Sequence, residues 1–339
     1  MKYIAFLFVF LFILPQCVLS QNLEVFNLGN FSLENGEVIY DCEIGYRTFG
    51  TLNHDSSNVI IYPTWFGGTS AMLTDLIGPG KIVDDSRFFI IAIDALGNGI
   101  SSSPSNSRDQ PGNRFPAISI GDMVEAQYRL LTEYFEFGRI HGAVGGSMGG
   151  MQVFEWLTRY PGYIARAVPY VSTPRVSSYD LLVMNFRREL IETGLRNNIS
   201  GREIMTLINM TTELHGRTPD YIQRERSRDD MDAYLSSFNR EPSSQFTVYN
   251  YLTQLNAMIG HDISRPFGGQ LSRAAERVQA NVLIMVSETD QLIHPAPAIE
   301  FAQLINAGLT VLQNDCGHLA VGCELEKSGQ LIRAFFSIE

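Results

Sequence analysis

One short segment near the middle of this 339-residue chain restricts its fold more than any other. Within residues 144–150, Gly145, Ser147 and Gly149 form a G-x-S-x-G motif. An apolar run precedes the motif and a helix-period run follows it, so we expect a sharp turn from strand to helix with the serine at the turn. Glycines flank such a serine because only small residues fit there, and the strained backbone presents the hydroxyl to a substrate. The alternative is a glycine-rich turn in which the serine has no role.

Along the rest of the chain, short apolar runs alternate with amphipathic helical patterns. This alternation is typical of an α/β fold with a mostly parallel sheet and helices on both faces. The predicted strands are residues 59–62, 88–93, 141–144, 165–171, 282–286 and 309–312, preceded by an edge hairpin of residues 38–40 and 43–49. The predicted helices are residues 123–134, 152–159, 298–305 and 325–336.

The pattern changes between residues 174 and 276, where strand-like runs disappear. Apolar residues there recur at helical spacing, as Leu182 and Phe186 do, and later Leu255 and Met258. We therefore predict a helical cap (lid) of residues 174–276, inserted into an α/β core made of residues 21–173 and 277–339. Most Met and aromatic side chains of the cap are expected to pack its interior, and a few to line a pocket. The sequence leaves the oligomeric state open: a helix pair of the cap could mediate a homodimer, but nothing in the sequence requires one.

The first twenty residues have the pattern of a secretory signal peptide. Lys2 provides a positive start, residues 4–14 are apolar, and cleavage is expected near the small residue Ser20. A membrane-spanning helix needs about 20 apolar residues, more than this run supplies. A lipid anchor on Cys17 is a lesser alternative, because the residues before it match the required motif poorly. We therefore expect residues 1–20 to be removed and the protein to be secreted or periplasmic, with no stable membrane anchor.

Composition limits the partners of the chain. Hydrophobic residues make up 45% and charged residues 18%, which supplies enough apolar material for a sizeable core. The formal net charge is −11 and no basic block occurs, so we expect no nucleic-acid partner. No C-x-x-C pair or histidine cluster suggests a metal site, and the turn around Gly97 and Gly99 lacks the rest of a dinucleotide-binding fingerprint. We therefore expect no metal and no organic cofactor.

Three cysteines follow the predicted signal peptide: Cys42, Cys316 and Cys323. In an oxidising compartment, Cys316 and Cys323 are the one pair that is close in sequence. The alternative is two small buried thiols, and disulfide geometry is strict. The sequence therefore leaves the pairing open.

A serine hydroxyl is a weak nucleophile and needs a base, which an acid must orient. In chains with this strand-to-helix serine, the order is serine, acid, histidine. The candidate acids follow the predicted strand 282–286, and Asp290 is favoured over Glu288 because it lies deeper in the loop. His294 falls on that same loop, whereas His318 follows the last predicted strand. We therefore predict a catalytic set of Ser147, Asp290 and His318.

A serine nucleophile also requires N–H donors for the oxyanion that forms during the reaction. One donor is expected from the backbone of Met148, directly after the nucleophile. The other is expected from the loop after the predicted strand 59–62. Within that loop, Phe66 is the first choice and Trp65 is the alternative.

Several stretches outside the cap match a known group of proteins. They are residues 46–53, 78–81, 115–127 and 145–152, together with Glu155 and Trp156. Through these stretches, the chain resembles the homoserine O-acetyltransferase-like branch of the α/β-hydrolase superfamily. The resemblance implies an α/β-hydrolase fold and an acyl-enzyme on Ser147, with His318 and Asp290 completing a catalytic triad.

The chain departs from this group at three positions. The acetyltransferases typically carry an aspartate directly after the triad histidine, thought to hold the amino group of homoserine, where this chain has Leu319. They usually carry an arginine where this chain has Gly121, and the histidine of their oxyanion loop is replaced around Thr64. A pocket for a zwitterionic amino acid needs paired charges, so these changes favour water as the acceptor.

We therefore expect an enzyme that hydrolyses a small-molecule carboxylic ester through an acyl-serine intermediate. Secretion agrees with this expectation, because acetyl-CoA is not expected outside the cytoplasm. The first alternative is an O-acyltransferase that passes the acyl group to an alcohol acceptor. The second is a non-catalytic binding protein on the same fold. The sequence does not define the length of the acyl group or the identity of the alcohol.

Overall fold

The computed structural model describes residues 22–239 and 245–337, so the predicted signal peptide of residues 1–20 lies outside the described residues. The strands are β1 (Glu24–Ser32), β2 (Val38–Phe49), β3 (Val59–Pro63), β4 (Phe89–Ile93), β5 (Ile140–Gly146), β6 (Ile164–Tyr170), β7 (Asn281–Ser287) and β8 (Gly308–Leu312). They form one sheet in the order β1-β2-β4-β3-β5-β6-β7-β8. The pairs β1–β2 and β2–β4 are antiparallel, and the other pairs are parallel.

Helices cover both faces of this sheet. Those of the described residues are α1 (Ser70–Leu73), α2 (Ile120–Arg129), α3 (Met148–Arg159), α4 (Ser178–Arg196), α5 (Gly201–Gly216), α6 (Pro219–Glu225), α7 (Met231–Ser237), α8 (Val248–Ile259), α9 (Leu271–Ala275), α10 (Ala296–Leu304), α11 (Ala320–Cys323) and α12 (Leu325–Phe336). Apolar residues of α2, α3 and α10 form the core on one face, and those of α1, α11 and α12 form the core on the other. The predicted α/β architecture is confirmed.

The central strands show why their sequences are continuously apolar. In β3, Val59 and Ile61 belong to one core, whereas Ile60 and Tyr62 belong to the other. Successive side chains of a strand point to opposite faces, so a strand covered on both faces must be apolar at every position. All five residues of β3 and all five of β4 are buried.

Six of the predicted strands are confirmed to within two residues at each end. The predicted edge hairpin is wrong. Residues 38–49 form one continuous strand, and its hairpin partner is β1, which the sequence analysis missed. Asp41 has a positive φ of 47°, and the pairing shifts register beside Gly29. A bulge therefore bends β2 where the polar sequence suggested a turn.

The predicted helices lie where expected, with differences at their starts. Residues 325–336 form α12 exactly over the predicted range, but α3 begins at Met148 rather than at residue 152. The glycines in its first turn hide the helical pattern. Helix α2 begins at Ile120, where Ser119 is the N-cap and forms a capping box with Asp122 in the first turn. The helix continues as a π-helix over Leu130–Tyr134.

Between β6 and β7, the described residues form α4 to α9 and one isolated bridge, from Arg175 to Asp262. This segment contains the predicted cap, residues 174–276. Leu182 and Phe186 are exposed on α4; a homodimer through such helices stays a prediction. Across the described part of the chain, every helix is too short or too polar to span a bilayer.

Candidate active site

Ser147 lies at the turn between β5 and α3, near the middle of the sheet. Its φ of 53° and ψ of −126° are rare for a residue that carries a side chain. Its N–H donates to the Tyr170 carbonyl oxygen over 3.1 Å, and Ser172 Oγ donates to the Ser147 carbonyl oxygen over 2.7 Å. These bonds hold the strained residue in place, and the predicted strand-to-helix turn is present.

The glycines of the motif are required by close backbone approaches. A Cβ on Gly145 would lie 2.4 Å from the Gly149 carbonyl oxygen. A Cβ on Gly149 would lie 2.5 Å from the Pro63 carbonyl oxygen. Both obstacles are backbone atoms, which cannot rotate away as a flexible side chain does. Larger residues would therefore force apart β3, β5 and the start of α3.

Three side chains from separate loops meet at this turn. His318 Nε2 lies 2.9 Å from Ser147 Oγ, and His318 Nδ1 lies 2.7 Å from Asp290 Oδ2. Asp290 follows β7 and His318 follows β8, and both side chains are buried. The carboxyl ends of parallel strands meet at one edge of a sheet, so residues distant in sequence come together there.

The hydrogen bonds define which nitrogen of His318 carries the proton. Leu292 N–H and Ile293 N–H donate to Asp290 Oδ1 over 2.8 and 2.9 Å. The second carboxylate oxygen accepts from His318 Nδ1–H, because a carboxylate can only accept. The Nε2 atom of the neutral ring is then free to take the proton of the Ser147 hydroxyl, as a general base must.

The two alternatives to this set lie elsewhere. Glu288 is exposed, and the oxygen that faces the His318 ring belongs to Asp290 instead. His294 is also exposed, and its backbone N–H donates to Asp180 Oδ1 over 2.8 Å. The structure therefore brings together the predicted acid and base and leaves both alternatives outside the hydrogen-bonded set.

A disulfide joins Cys316 to Cys323 across the segment that carries His318. The sequence left this pairing open. The small ring restricts the conformations of the loop on which the imidazole sits. The third cysteine, Cys42, is a buried thiol. Burial raises the pKa of Cys42 to about 12, so this thiol stays protonated and unreactive at neutral pH.

Both candidates for the second oxyanion donor line a cavity that Ser147 also lines. Phe66 lines both cavities that Ser147 lines, and Trp65 lines one of them. The backbone N–H groups of Trp65, Phe66 and Met148 donate to no acceptor of the described residues. The next N–H, that of Gly67, donates to a glutamine of α8 over 2.8 Å. The choice between Phe66 and Trp65 therefore stays a prediction.

A chain of buried amides, which the sequence analysis missed, ties α2 and α3 to the loop after β3. Trp156 Nε1 donates to Gln127 Oε1 over 2.8 Å, and Gln127 Nε2 donates to Gln152 Oε1 over 2.5 Å. Gln152 Nε2 donates to the carbonyl oxygens of Thr64 and Met148 over 3.0 and 3.1 Å. All of these residues are fully buried. The sequence does contain a sign of this chain of amides, because Gln127 and Gln152 occupy positions on the buried faces of two amphipathic helices.

A buried carboxylate holds the far end of the same loop. Asp94 accepts from the backbone N–H and the hydroxyl of Ser70 over 2.7 and 2.6 Å, and from Asn98 Nδ2 over 2.8 Å. Burial raises the pKa of Asp94, while the hydrogen bonds from Ser70 and Asn98 oppose that rise. The loop that carries the candidate oxyanion donors is thus fixed at both ends.

Two cavities meet at Ser147, and Phe66 lines both. The larger has a volume of about 590 Å³, mostly apolar walls and Tyr170 in its lining. The smaller, of about 260 Å³, is bordered by helices α4, α5 and α8, and its lining includes Arg187 and Tyr251. Among residues 22–239 and 245–337, no three or more His, Cys, Asp or Glu side chains are arranged to hold a metal ion.

The fold, together with a serine at the turn between β5 and α3, defines a class of protein, and a family comparison confirms that class. The chain matches the family model described as alpha/beta hydrolase fold over residues 66–322. The chain therefore belongs to the α/β-hydrolase fold family.

Similar proteins align with nearly the whole chain. It is 32% identical over 323 residues to an ethyl acetate hydrolase of Pseudomonas veronii, covering 91% of this chain and 93% of that protein. It is 26% identical over 345 residues to a homoserine O-acetyltransferase of Geotalea daltonii, covering 89% and 94%. The structure of an acetylester hydrolase from Corynebacterium glutamicum matches with a TM-score of 0.86 and 29% identity, covering 94% and 96%. The resemblance to the acetyltransferase-like branch is confirmed, and the chain is an α/β-hydrolase enzyme.

Proposed function

We propose that this protein is a secreted carboxylic ester hydrolase that acts through an acyl-serine intermediate. Its relatives make it an ester hydrolase or an acyltransferase of the α/β-hydrolase family. The choice of hydrolysis and the roles of the residues are the proposal. The observation that carries it is the hydrogen-bonded chain from Asp290 through His318 to Ser147.

In the proposed reaction, His318 Nε2 takes the hydroxyl proton as Ser147 Oγ attacks the ester carbonyl carbon. The backbone N–H groups of Met148 and Phe66 receive the negative charge that develops on the carbonyl oxygen, each contributing about 3–4 kcal/mol. His318 then gives the proton to the departing alcohol oxygen, and the acyl group remains on Ser147. Asp290 stabilises the imidazolium that forms between these steps.

Water is the proposed second acceptor. His318 takes one proton from water as its oxygen attacks the acyl carbon, and then returns that proton to Ser147 Oγ. An amino-acid acceptor would bring an ammonium group, which needs a negative partner when it is desolvated. Directly after His318 this chain has Leu319, whose apolar side chain lines the larger cavity. This residue supports hydrolysis over transfer to an amino acid.

Acyl transfer to an alcohol is the second candidate, favoured by the similarity to a homoserine O-acetyltransferase. To separate the two, p-nitrophenyl acetate is supplied with and without a high concentration of homoserine, and the products are resolved by chromatography. We expect acetate in both samples and no O-acetylhomoserine. A rate that rises with homoserine, together with acetylated homoserine, would establish transfer instead.

The nucleophile is tested with a fluorophosphonate probe, which forms a covalent bond to an activated serine. We expect labelling of the wild type and of Ser86→Ala, a control at an exposed serine. We expect none of Ser147→Ala. Labelling of Ser147→Ala would refute the assignment of Ser147 as the nucleophile. If Ser147→Ala loses both labelling and the esterase turnover of the wild type, a non-catalytic binding protein is also excluded.

The compartment is a separate part of the proposal, supported by the pattern of residues 1–20. The full chain is expressed in a bacterial host, and the purified protein is sequenced from its N-terminus. We expect a mature protein that starts at Gln21 and is found outside the cytoplasm. A cytoplasmic protein that keeps these residues would contradict secretion and leave the chemistry at Ser147 unaffected.

A further inference from the structure

Arg187 is buried on a face of α4 where an apolar residue is expected. The buried positions of this helix follow helical spacing and include Met184 and Ile191 on either side of Arg187. Arg187 is only 4% exposed, whereas Leu182 and Phe186 on the same helix are 70% and 52% exposed. The helix thus buries a cation and exposes two large apolar side chains, which is the reverse of what desolvation favours.

The guanidinium of Arg187 is poorly satisfied where it lies. Its Nη2 atom donates to the Thr211 carbonyl oxygen over 3.1 Å. That oxygen is already 2.7 Å from His215 Nδ1. The Nε atom of Arg187 is buried and has no hydrogen-bond partner within residues 22–239 and 245–337. No carboxylate of the described residues forms an ion pair with it, although arginine stays charged at any physiological pH.

The cavity beside Arg187 is the smaller of the two that meet at Ser147. Its other polar lining groups in the described residues are the neutral side chains of Ser147, Asn209, Thr212 and Tyr251. Arg187 and Tyr251 line the same cavity. Burial raises the pKa of Tyr251, and the Arg187 guanidinium opposes that rise. The described lining of this cavity of about 260 Å³, which includes Ser147, therefore holds a cation and no carboxylate.

We propose that Arg187 binds a carboxylate of the substrate, so that the preferred ester carries a carboxylate on the part that enters the smaller cavity. The inference rests on the proposed role of Ser147 as nucleophile. A guanidinium offers two parallel N–H donors that match a carboxylate, and pairing removes the cost of burying either charge alone. The described residues supply no such carboxylate, so we assign that role to the ligand.

Two matched pairs of esters test both ends of the substrate. In the acyl pair, monomethyl succinate is compared with methyl 4-methylpentanoate, in which an isopropyl group replaces the carboxylate. In the alcohol pair, 3-acetoxypropanoate is compared with 3-methylbutyl acetate, which differs in the same way. In the wild type, we expect one carboxylate ester to have a kcat/KM above that of its neutral partner, and the pair that shows this preference identifies the end that meets Arg187.

The variants are Arg187→Met and Arg187→Lys, with Arg188→Met as a matched control, because Arg188 is the next residue on the same helix and does not line the cavity. Arg187→Met should lower kcat/KM for the preferred carboxylate ester by about 10- to 100-fold, mainly through KM. Turnover of the neutral partner should stay within about threefold. Arg187→Lys should retain part of the preference, because it keeps the charge and loses the paired geometry. Arg188→Met should change neither.

A binding measurement separates this inference from the proposed function. The Ser147→Ala variant and the double variant with Arg187→Met are titrated with monomethyl succinate and with 3-acetoxypropanoate by calorimetry. If binding depends on Arg187 but the wild type turns over none of the esters, the carboxylate site at Arg187 is supported and the proposed hydrolase function is refuted. Turnover of the neutral esters, with no carboxylate preference and no Arg187-dependent binding, would overturn the inference alone.

Discussion

The substitution Gln152→Met tests whether the buried amide chain positions the oxyanion loop. Methionine has the length of glutamine and no donor for the Thr64 carbonyl oxygen. It also leaves Gln127 Nε2 without its acceptor. Each buried unsatisfied group costs about 1–3 kcal/mol, so we expect the free energy of unfolding to fall by about 4 kcal/mol. Without the bond from Gln152 to Thr64, the loop should no longer hold the Phe66 N–H in position. We therefore expect kcat to fall by at least about tenfold.

Gln127→Met is the matched control. It leaves Trp156 Nε1–H and Gln152 Oε1 unsatisfied but keeps the bond from Gln152 to Thr64. Stability should therefore fall by a similar amount, about 4 kcal/mol, while kcat stays near the wild-type value. Urea unfolding gives the stability of each variant, and turnover of p-nitrophenyl acetate well below the unfolding temperature gives kcat and KM. If both variants lose kcat equally, or Gln152→Met loses none, the positioning role of Gln152 is refuted.

Three further predictions concern a buried arginine, the disulfide and a buried histidine. Arg187→Met should leave the free energy of unfolding unchanged or raise it, because it removes a buried charge that lacks a carboxylate partner; a clear loss in urea unfolding would make Arg187 a structural residue. Replacing Cys316 and Cys323 by serine should lower the free energy of unfolding by about 2–3 kcal/mol and reduce kcat. Reduction of the wild-type disulfide with dithiothreitol should have the same effects. Unchanged kinetics would show that the disulfide does not order the loop that carries His318. Burial lowers the pKa of His261 to about 4, below its unfolded value near 6.5, so the free energy of unfolding decreases as pH falls through this range. Between about pH 7.5 and 5.5, the wild type should lose about 1 kcal/mol more of that free energy than His261→Gln does. Equal losses in the two proteins would contradict this.

The parts of the site that follow strand ends could be predicted from sequence. The apolar runs before Ser147, Asp290 and His318 indicate parallel strands, and the carboxyl ends of such strands meet at one edge of the sheet. Order along the chain then selects the acid and the base. The structure places these three side chains within hydrogen-bonding distance, as the strand pattern and chain order imply.

The parts that depend on packing between distant elements could not be predicted. Gln152 looks like an ordinary helical residue until α3 lies beside the loop after β3. Arg187 has the sequence context of a surface residue, since Arg188 and Glu189 follow it directly. Its burial depends on how α4 rests against α5 and α8, and helix periodicity alone does not fix that rotation. The bulge at Asp41 likewise became visible only from its pairing with β1.

The acyl-enzyme itself provides the most direct test of the account. Wild-type protein is mixed with p-nitrophenyl acetate, quenched in acid during the first turnover, digested and analysed by mass spectrometry. We expect one acetyl group on the peptide that contains Ser147, formed in a burst together with p-nitrophenol, and no acetylated peptide from Ser147→Ala. Acetate release by the wild type with the acetyl group on another residue, or undiminished turnover by Ser147→Ala, would contradict the claim that this serine carries the acyl group.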